Sequence, residues 1–407
     1  MTWDEGPFFQ MERMDVYKAH VDDLLKRGLA YKCYCTQEEL EAKRQLAMKE
    51  GRKPKYDGKC RNSPPLPATT ASAGREKGGQ GGFSIRFKAP ETGTTIVHDI
   101  VKGDVSFENK ELDDLIILRS NGAPTYNFTV VVDDVEMKIT HVIRGDDHLN
   151  NTPRQILMYQ AFNYPVPMFA HLPMILGADK KRLSKRFAAT SVMEYKAQGF
   201  LPDALMNYLA RLGWAHGDQE IFTIKEMIDA FDLADVGKAA AIFDPEKLKW
   251  VNAQHMLRYT DEQIFDLTLP FIEKRGLKVV DKAMGINAVA SERERGKTFD
   301  ELAEISAFYF RDEFTYDEKS REKWLNDEGK KILSIIIDRL EKLADFSEHA
   351  IAEVFKKLID ETGKKMLDVA QPCRVALTGT TVSPGIYEVM AILGKDAVAK
   401  RLRKAAG

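Results

Sequence analysis

Cysteine is scarce in this chain and long apolar runs are missing. Four cysteines in 407 residues, three of them close together, do not make a disulfide framework. They suit a reducing compartment, where clustered thiols more often serve a metal. No apolar run reaches the ~18 to 20 residues that a membrane helix needs, and no basic-then-apolar leader opens the sequence. A cytoplasmic protein without membrane association is expected. Charge of one sign is lacking too: the formal net charge of −2 gives no global nucleic-acid signature. Any polyanion must therefore meet basic residues sorted onto one face. What is present, 44% apolar and 30% charged residues, is ordinary for a globular protein, and the length allows about two to four domains.

Asp15 to Gly28 carries Val16, Ala19, Val21, Leu24 and Leu25 at helical spacing, and Glu38 to Lys49 is rich in helix formers before Gly51. From Asn62 to Gly82 the composition collapses to Pro, Ala, Ser, Thr and Gly, a solvated loop. Strands are expected at Phe83 to Phe87, Thr95 to Val101 and Asp114 to Arg119, with a turn at Asn121-Gly122. Together these predict an α+β insertion between the halves of a larger domain. Val130 to Val132 and Ile139 to Ile143 read as short buried parallel strands. Thr152 is a natural N-cap and Pro153 a natural first residue for a helix through Phe162, and Phe169 to Leu176 is the next strand. Such a strand–helix–strand unit is half of a doubly wound, Rossmann-type nucleotide fold, whose ligands sit beyond the carboxyl ends of the strands.

After Thr190 the pattern is helical: Val192 to Gln198, Ala204 to Leu212, Thr223 to Phe231, Asp261 to Lys274, Phe299 to Phe310, Glu328 to Ala344, Glu348 to Thr362 and Gly385 to Gly394. Ile332, Ile336, Leu340 and Leu343 share one face, a stripe that plain helix packing explains. The expected fold class is α/β plus all-α.

Three sets of residues carry chemistry. Lys181-Arg182-Leu183-Ser184-Lys185-Arg186 follows the strand-like His171-Leu172-Pro173-Met174-Ile175-Leu176-Gly177. Mobile cations at a strand end can neutralise charge that grows as a phosphate bond breaks; the plain alternative is a solvated basic loop. Cys33-Tyr34-Cys35, Tyr56 and Cys60 have spacing for a small metal knuckle, and spacing alone equally allows buried free thiols. Arg144 closes a buried-looking strand, where a guanidinium can pair with a carboxylate in bidentate fashion. An ion pair with Asp146 or Asp147 is the structural alternative.

Pro124-Thr125-Tyr126-Asn127-Phe128, Val131-Val132-Asp133-Asp134, Thr140-His141-Val142-Ile143-Arg144-Gly145-Asp146-Asp147-His148 and Asn151-Thr152-Pro153-Arg154-Gln155 resemble, in order and spacing, the bacterial glutamyl-tRNA synthetases. So do Gly199-Phe200-Leu201-Pro202-Asp203-Ala204-Leu205, Ala241-Ile242-Phe243-Asp244-Pro245-Glu246-Lys247-Leu248, Ala376-Leu377-Thr378-Gly379 and Val382-Ser383-Pro384-Gly385. Arg182 to Arg186 occupies the five places of the second signature of class I aminoacyl-tRNA synthetases, usually written KMSKS. The resemblance covers practically the whole chain.

It implies an enzyme that makes glutamyl-adenylate from glutamate and ATP, with Mg2+, and passes glutamate to the terminal adenosine of tRNA(Glu). Catalysis would fall to Lys185 and Ser184. ATP would meet Lys185, Arg182, His148 and the main chain at Met174 and Ile175, and glutamate would meet Tyr126, Arg144 and Asp147. A structural Zn2+ would be held by Cys33, Cys35, Tyr56 and Cys60. Some members place a His two residues after the third Cys, where this chain has Asn62; Asp57 is a more conventional ligand than Tyr56.

The resemblance also implies a monomer and a division of the chain. Residues 1–20 would be a first piece of the catalytic domain and 21–125 an acceptor-end insertion with the knuckle. Residues 126–189 would be the second catalytic half, 190–260 a helical stem-contact domain and 261–407 an all-helical anticodon-binding domain. Glutaminyl-tRNA synthetases share the core but end in β-barrels, and short glutamylating paralogues lack the anticodon domain. The first class I signature, His-x-Gly-His, occurs nowhere among the eight histidines. Met1-Thr2-Trp3-Asp4-Glu5-Gly6-Pro7 resembles a point well inside the family's chains. Truncation before that signature is therefore expected, with no glutamate activation by the chain alone. The competing reading is a non-catalytic tRNA-binding paralogue.

Overall fold

A computed structural model describes residues 4–62, 82–183 and 191–407. Backbone contacts divide the chain into two units. One is Met1–Met174 with Gly213–Ala215 and Phe231–Ala241; the other is Ile175–Leu212 with His216–Ala230 and Ile242–Gly407.

The first unit contains strands β1 (Ala30–Cys33), β2 (Ser84–Phe87), β3 (Thr94–Asp99), β4 (Gly103–Glu108), β5 (Ile116–Leu118), β6 (His141–Gly145) and β7 (Met168–Leu172). β1, β2 and β5 form an antiparallel sheet in that order. A second sheet has the order β4-β3-β7-β6, in which β7 runs parallel to both β3 and β6. Between β6 and β7 lie a 3-10 turn, Asp146–Asn151, and the helix Thr152–Ala161. The expected strand–helix–strand unit is therefore present, in a register that sets Arg144 opposite His171.

Three local expectations change. Val130 to Val132 is not a strand but part of the helix Tyr126–Glu136. Phe128, Val131, Val132 and Val135 are buried, a helical stripe that three consecutive β-branched residues concealed. The strand expected from Phe169 to Leu176 breaks at Pro173 into β7 and the short Ile175–Leu176, because proline lacks the N–H that a continued ladder requires. The Thr152–Ala161 helix begins one residue earlier than expected: Asn151 holds the N-cap position without a side-chain capping bond, and Thr152, already helical, turns its hydroxyl to other partners. Tyr17, Val21 and Leu24 from the helix Met14–Lys26 join Phe128, Met158 and Phe169 in one core.

The second unit is helical. Asp261–Lys274 and Glu348–Thr362 run as expected. Thr260 and Gln263 form a reciprocal capping box, and Ser347 accepts from Ala350 N, satisfying N–H groups that have no partner within the helix. Helices at Pro245–Met256, Lys282–Ser291, Glu318–Trp324, Met366–Thr378 and Lys395–Ala406 were not foreseen. In Met366–Thr378 the buried Pro372 sits inside the helix, a residue that argues against a helix locally and is overridden by packing. Ile332, Ile336 and Leu340 are buried as the stripe predicts, with Leu343 packed at its edge. Each fully buried side chain of this kind contributes about 1.5–3 kcal/mol. Gly199 has φ +81°, and a Cβ there would lie 2.6 Å from Asp300 N. That close approach lets Phe299 N donate to Gly199 O and seats the Phe299–Ile305 helix.

Candidate active site and metal centre

At the carboxyl end of β6, Arg144 projects a half-buried guanidinium. Its Nε donates to His171 Nε2 (3.2 Å), and Nη2 donates to Thr152 Oγ1 (2.9 Å) and Gln155 Oε1 (2.7 Å). Gln155 Nε2 is oriented in turn by Asn127 Oδ1 (2.9 Å). All three direct acceptors are neutral groups or, for His171, can be. Asp146 pairs with Lys102 (2.9 Å), so one of the two alternative partners is engaged elsewhere. Among the described residues no carboxylate forms an ion pair with Arg144. Burial holds its pKa below the usual arginine value, against the pull of Tyr126, Tyr159 and Asp134. A half-buried cation held by uncharged acceptors suits an anionic ligand.

Tyr126 begins its helix exposed, with its hydroxyl 3.4 Å from His148 Nδ1 and the two rings 5.7 Å apart. His148 lies on the 3-10 turn after β6, and Asp147 lies exposed on the same turn. Tyr126, Arg144 and His148 thus come together where the sheet delivers ligands.

Met174 closes the first unit and Ile175 opens the second. Both are half-buried, and Ile175 packs on the core of the second unit. Leu183 N donates to Ile175 O (3.1 Å), Gly177 N to Lys181 O (2.8 Å), and Phe243 N to Leu176 O (2.8 Å). The basic run therefore starts on the returning arm of a tight hairpin. Arg182 is exposed there, paired through its backbone with Leu176. Ser184 and Lys185 lie outside the described residues.

The cysteines converge. The Sγ atoms of Cys33, Cys35 and Cys60 all lie within 4.8 Å of one another, with Cys35 and Cys60 3.6 Å apart. Thiolates at ~2.3 Å from one tetrahedral zinc are about 3.8 Å apart, so the cluster fits that ion. The Tyr56 hydroxyl is 3.5 Å from Cys33 Sγ and 3.8 Å from Cys35 Sγ, and it accepts from Cys60 N (3.0 Å). Asp57 is instead held by Lys43 (2.5 Å), which leaves Tyr56 as the oxygen at the cluster. Burial works against ionisation of Cys33, but Tyr56 and Arg86 bring its pKa down. Cys35 is pushed up to about 11 by burial and by the neighbouring thiols, partly offset by Tyr56. Crowded thiols of this kind ionise together only around a cation.

Residues 1–250 match the family model described as tRNA synthetases class I (E and Q), catalytic domain, and residues 263–406 match an anticodon binding domain. A glutamate--tRNA ligase of Geobacter sulfurreducens is 50% identical over 408 aligned residues, covering 100% of this chain and 84% of that protein. The chain belongs to the class I glutamyl-tRNA synthetases.

A glutamate--tRNA ligase of Thermodesulfovibrio yellowstonii is also 50% identical, over 99% of this chain and 85% of the relative. The crystal structure of a glutamate tRNA ligase from Elizabethkingia meningosepticum, in complex with its amino acid, superposes with a TM-score of 0.85 at 31% identity. That superposition covers 99% of this chain and 85% of that one. Among the described residues of this synthetase no strand follows Ile242, as the resemblance to the glutamyl rather than the glutaminyl enzymes implies. Sequence reasoning missed Asp99 and His171 behind Arg144, and Arg86 behind Tyr56. Thr152 and Gln155 were visible only as a cap and as part of a motif. A histidine inside an apolar strand was the one available signal, at His171.

Proposed function

We infer that this synthetase ligates glutamate to tRNA(Glu) in two steps. An oxygen of the glutamate α-carboxylate attacks the α-phosphorus of ATP; the new C–O–P link forms as the α–β bridging P–O bond breaks and pyrophosphate leaves. A ribose hydroxyl of the terminal adenosine then attacks the acyl carbon. AMP departs, and the hydroxyl proton goes to phosphate or solvent. Such chemistry needs positioning and charge stabilisation more than a general base.

The reading rests on Arg144, a guanidinium that lacks an ionic partner among the described residues at the ligand end of a parallel sheet. It would receive a carboxylate of glutamate, with Tyr126 and Asp147 beside the amino acid and His148 toward ATP. Adenine would be read by main-chain groups at Met174 and Ile175. Arg182, Ser184 and Lys185 would attend the polyphosphate, Lys185 as a point charge on the reacting phosphorus. Mg2+ bound with ATP would supply further neutralisation of the polyphosphate. Zinc held by Cys33, Cys35, Cys60 and Tyr56 would brace the acceptor-end insertion. The helical remainder would meet the tRNA stem and anticodon. The reading is of a monomer in the cytoplasm; no helix among the described residues is long and apolar enough to cross a membrane.

The test is ATP–pyrophosphate exchange in the presence of tRNA(Glu), run on the chain alone and on the chain fused behind a segment carrying His-x-Gly-His. Exchange that depends on glutamate and on tRNA, and is lost with Arg144→Ala, supports the reading. Exchange driven equally by glutamine overturns the assignment of glutamate as substrate, and exchange absent from both proteins favours a non-catalytic tRNA binder.

A further inference from the structure

Behind Arg144 lies a buried carboxyl–imidazole pair that the proposed chemistry does not use. Asp99 and His171 have side chains fully shielded from solvent, with His171 Nδ1 2.6 Å from Asp99 Oδ2. The Asp99 carboxylate also accepts from the backbone N–H groups of His171 (3.1 Å), Val101 (3.0 Å) and Lys102 (2.8 Å). Burial alone would raise its pKa, but these donors and His171 bring it below the usual aspartate value. Burial moves His171 down as well, with Asp99 opposing and Arg144 assisting. The pair is therefore a carboxylate beside a neutral imidazole.

That assignment has a directional consequence. Asp99 accepts only, so Nδ1 carries the proton and Nε2 keeps its lone pair. Arg144 Nε, 3.2 Å from Nε2, donates only and cannot lose its proton. The Thr152 hydroxyl also lies 3.0 Å from Nε2; the Nδ1–H tautomer lets Nε2 accept from it and from Arg144 Nε, whereas the other tautomer, or the imidazolium, sets N–H against the Arg144 N–H. Three adjacent strands create the row. Asp99 ends β3, His171 stands on the central β7, and Arg144 stands opposite His171 on β6. Thr152 and Gln155 fix Nη2 from the crossover helix.

We propose that Asp99 and His171 are positioning residues for Arg144, with Asp99 setting the His171 tautomer and His171 Nε2 aligning the guanidinium for the substrate carboxylate. The last clause rests on the reading of Arg144 given above; the alignment itself does not. The alternative is a pair that merely ties β3 to β7, which requires no particular tautomer.

Side-chain 15N NMR on the full chain separates these. At pH 7 to 8 His171 is expected as the neutral Nδ1–H form, with Asp99, Asp146, Lys102 and Arg144 as the charged groups around it, and the Arg144 Nε–H is expected to be protected from exchange. An Nε2–H tautomer, an imidazolium, or an unprotected Arg144 Nε–H in the unsubstituted chain overturns the proposal. In Asp99→Asn the amide donates to Nδ1, the proton moves to Nε2, and Arg144 protection should fall at least tenfold. Asn also loses backbone acceptors, so His171 is varied independently. Gln places a carbonyl oxygen near the Nε2 position and should keep protection within threefold, whereas Leu should lose it. Equal protection in the Gln and Leu variants overturns the proposal. Calorimetry with L-glutamate is the separate arm: weakening of tenfold or more in the Leu variant, restored by Gln, supports the substrate clause. If the unsubstituted chain binds no glutamate while the NMR results hold, the substrate reading of Arg144 falls and the alignment stands.

Discussion

The Arg86 guanidinium lies 3.8 Å from the ring centroid of Tyr56, and the Tyr56 hydroxyl lies among the three clustered thiols. Arg86 is buried and donates to Asp114 O (2.7 Å), so a fixed cation stacks on the phenol ring whose hydroxyl lies at the cluster. Contacts of this kind orient ligands and balance the charge of a thiolate site.

Freshly purified, reduced protein should therefore contain about one equivalent of zinc by elemental analysis. Cys60→Ser should lose most of it, and Arg86→Met should weaken affinity by roughly 10- to 100-fold in a chelator competition. Zinc near zero in the unsubstituted protein would make the cysteines ordinary buried thiols.

Lys185→Ala should lower adenylate formation by about 10² to 10³, equivalent to roughly 3–4 kcal/mol of lost charge stabilisation. Glutamate affinity and the melting temperature should hardly move. The measurement is single-turnover adenylate synthesis on whichever of the two proteins shows exchange; equal rates with and without the substitution remove Lys185 from the chemistry.

Gly199→Ala should destabilise the second unit. The left-handed φ costs a side chain about 1 kcal/mol or more, and a Cβ only 2.6 Å from Asp300 N forces the Phe299–Ile305 helix to shift. Urea unfolding should show a lower midpoint at an unchanged slope. An unaltered midpoint would mean that the turn relaxes freely.

Glu292 is buried, and burial pushes its carboxyl up from 4.5 to about 7, against the pull of Arg295 and with help from Glu388. The folded state then binds the proton more tightly than the unfolded chain. The stabilisation is complete below pH ~4.5 and is lost as pH rises through about 7, a change of roughly 3 kcal/mol at most. Glu292→Gln should flatten stability across pH 5–8 and gain on the parent protein at pH 8. Parallel curves for the two proteins, measured by denaturant titration, would mean that Arg295 keeps Glu292 ionised throughout.

Much of the helical half was legible because its signals are local. Thr260 with Gln263, and Ser347, mark helix starts within one turn of chain, and both helices follow as read. The clustering of Cys33, Cys35 and Cys60 was legible as spacing, whereas the pairing of Asp57 with Lys43, a residue from the preceding helix, was not. Val130 to Val132 misled because a short β-branched run has no period of its own; the packing of Phe128 and Val135 on the same face decides for helix.

The sequence by itself determined the family, the motif order and the cations, thiols and Arg144 proposed for the site, since residue type and spacing are properties of the chain. Only the tertiary structure decided what stands behind Arg144. Asp99 and His171 are 72 residues apart, and no local pattern pairs them. They meet because parallel pairing of β3, β7 and β6 sets an acid, an imidazole and a guanidinium side by side. In a buried row of this kind each donor must face an acceptor, and that requirement fixes the proton's place as well as the arginine's.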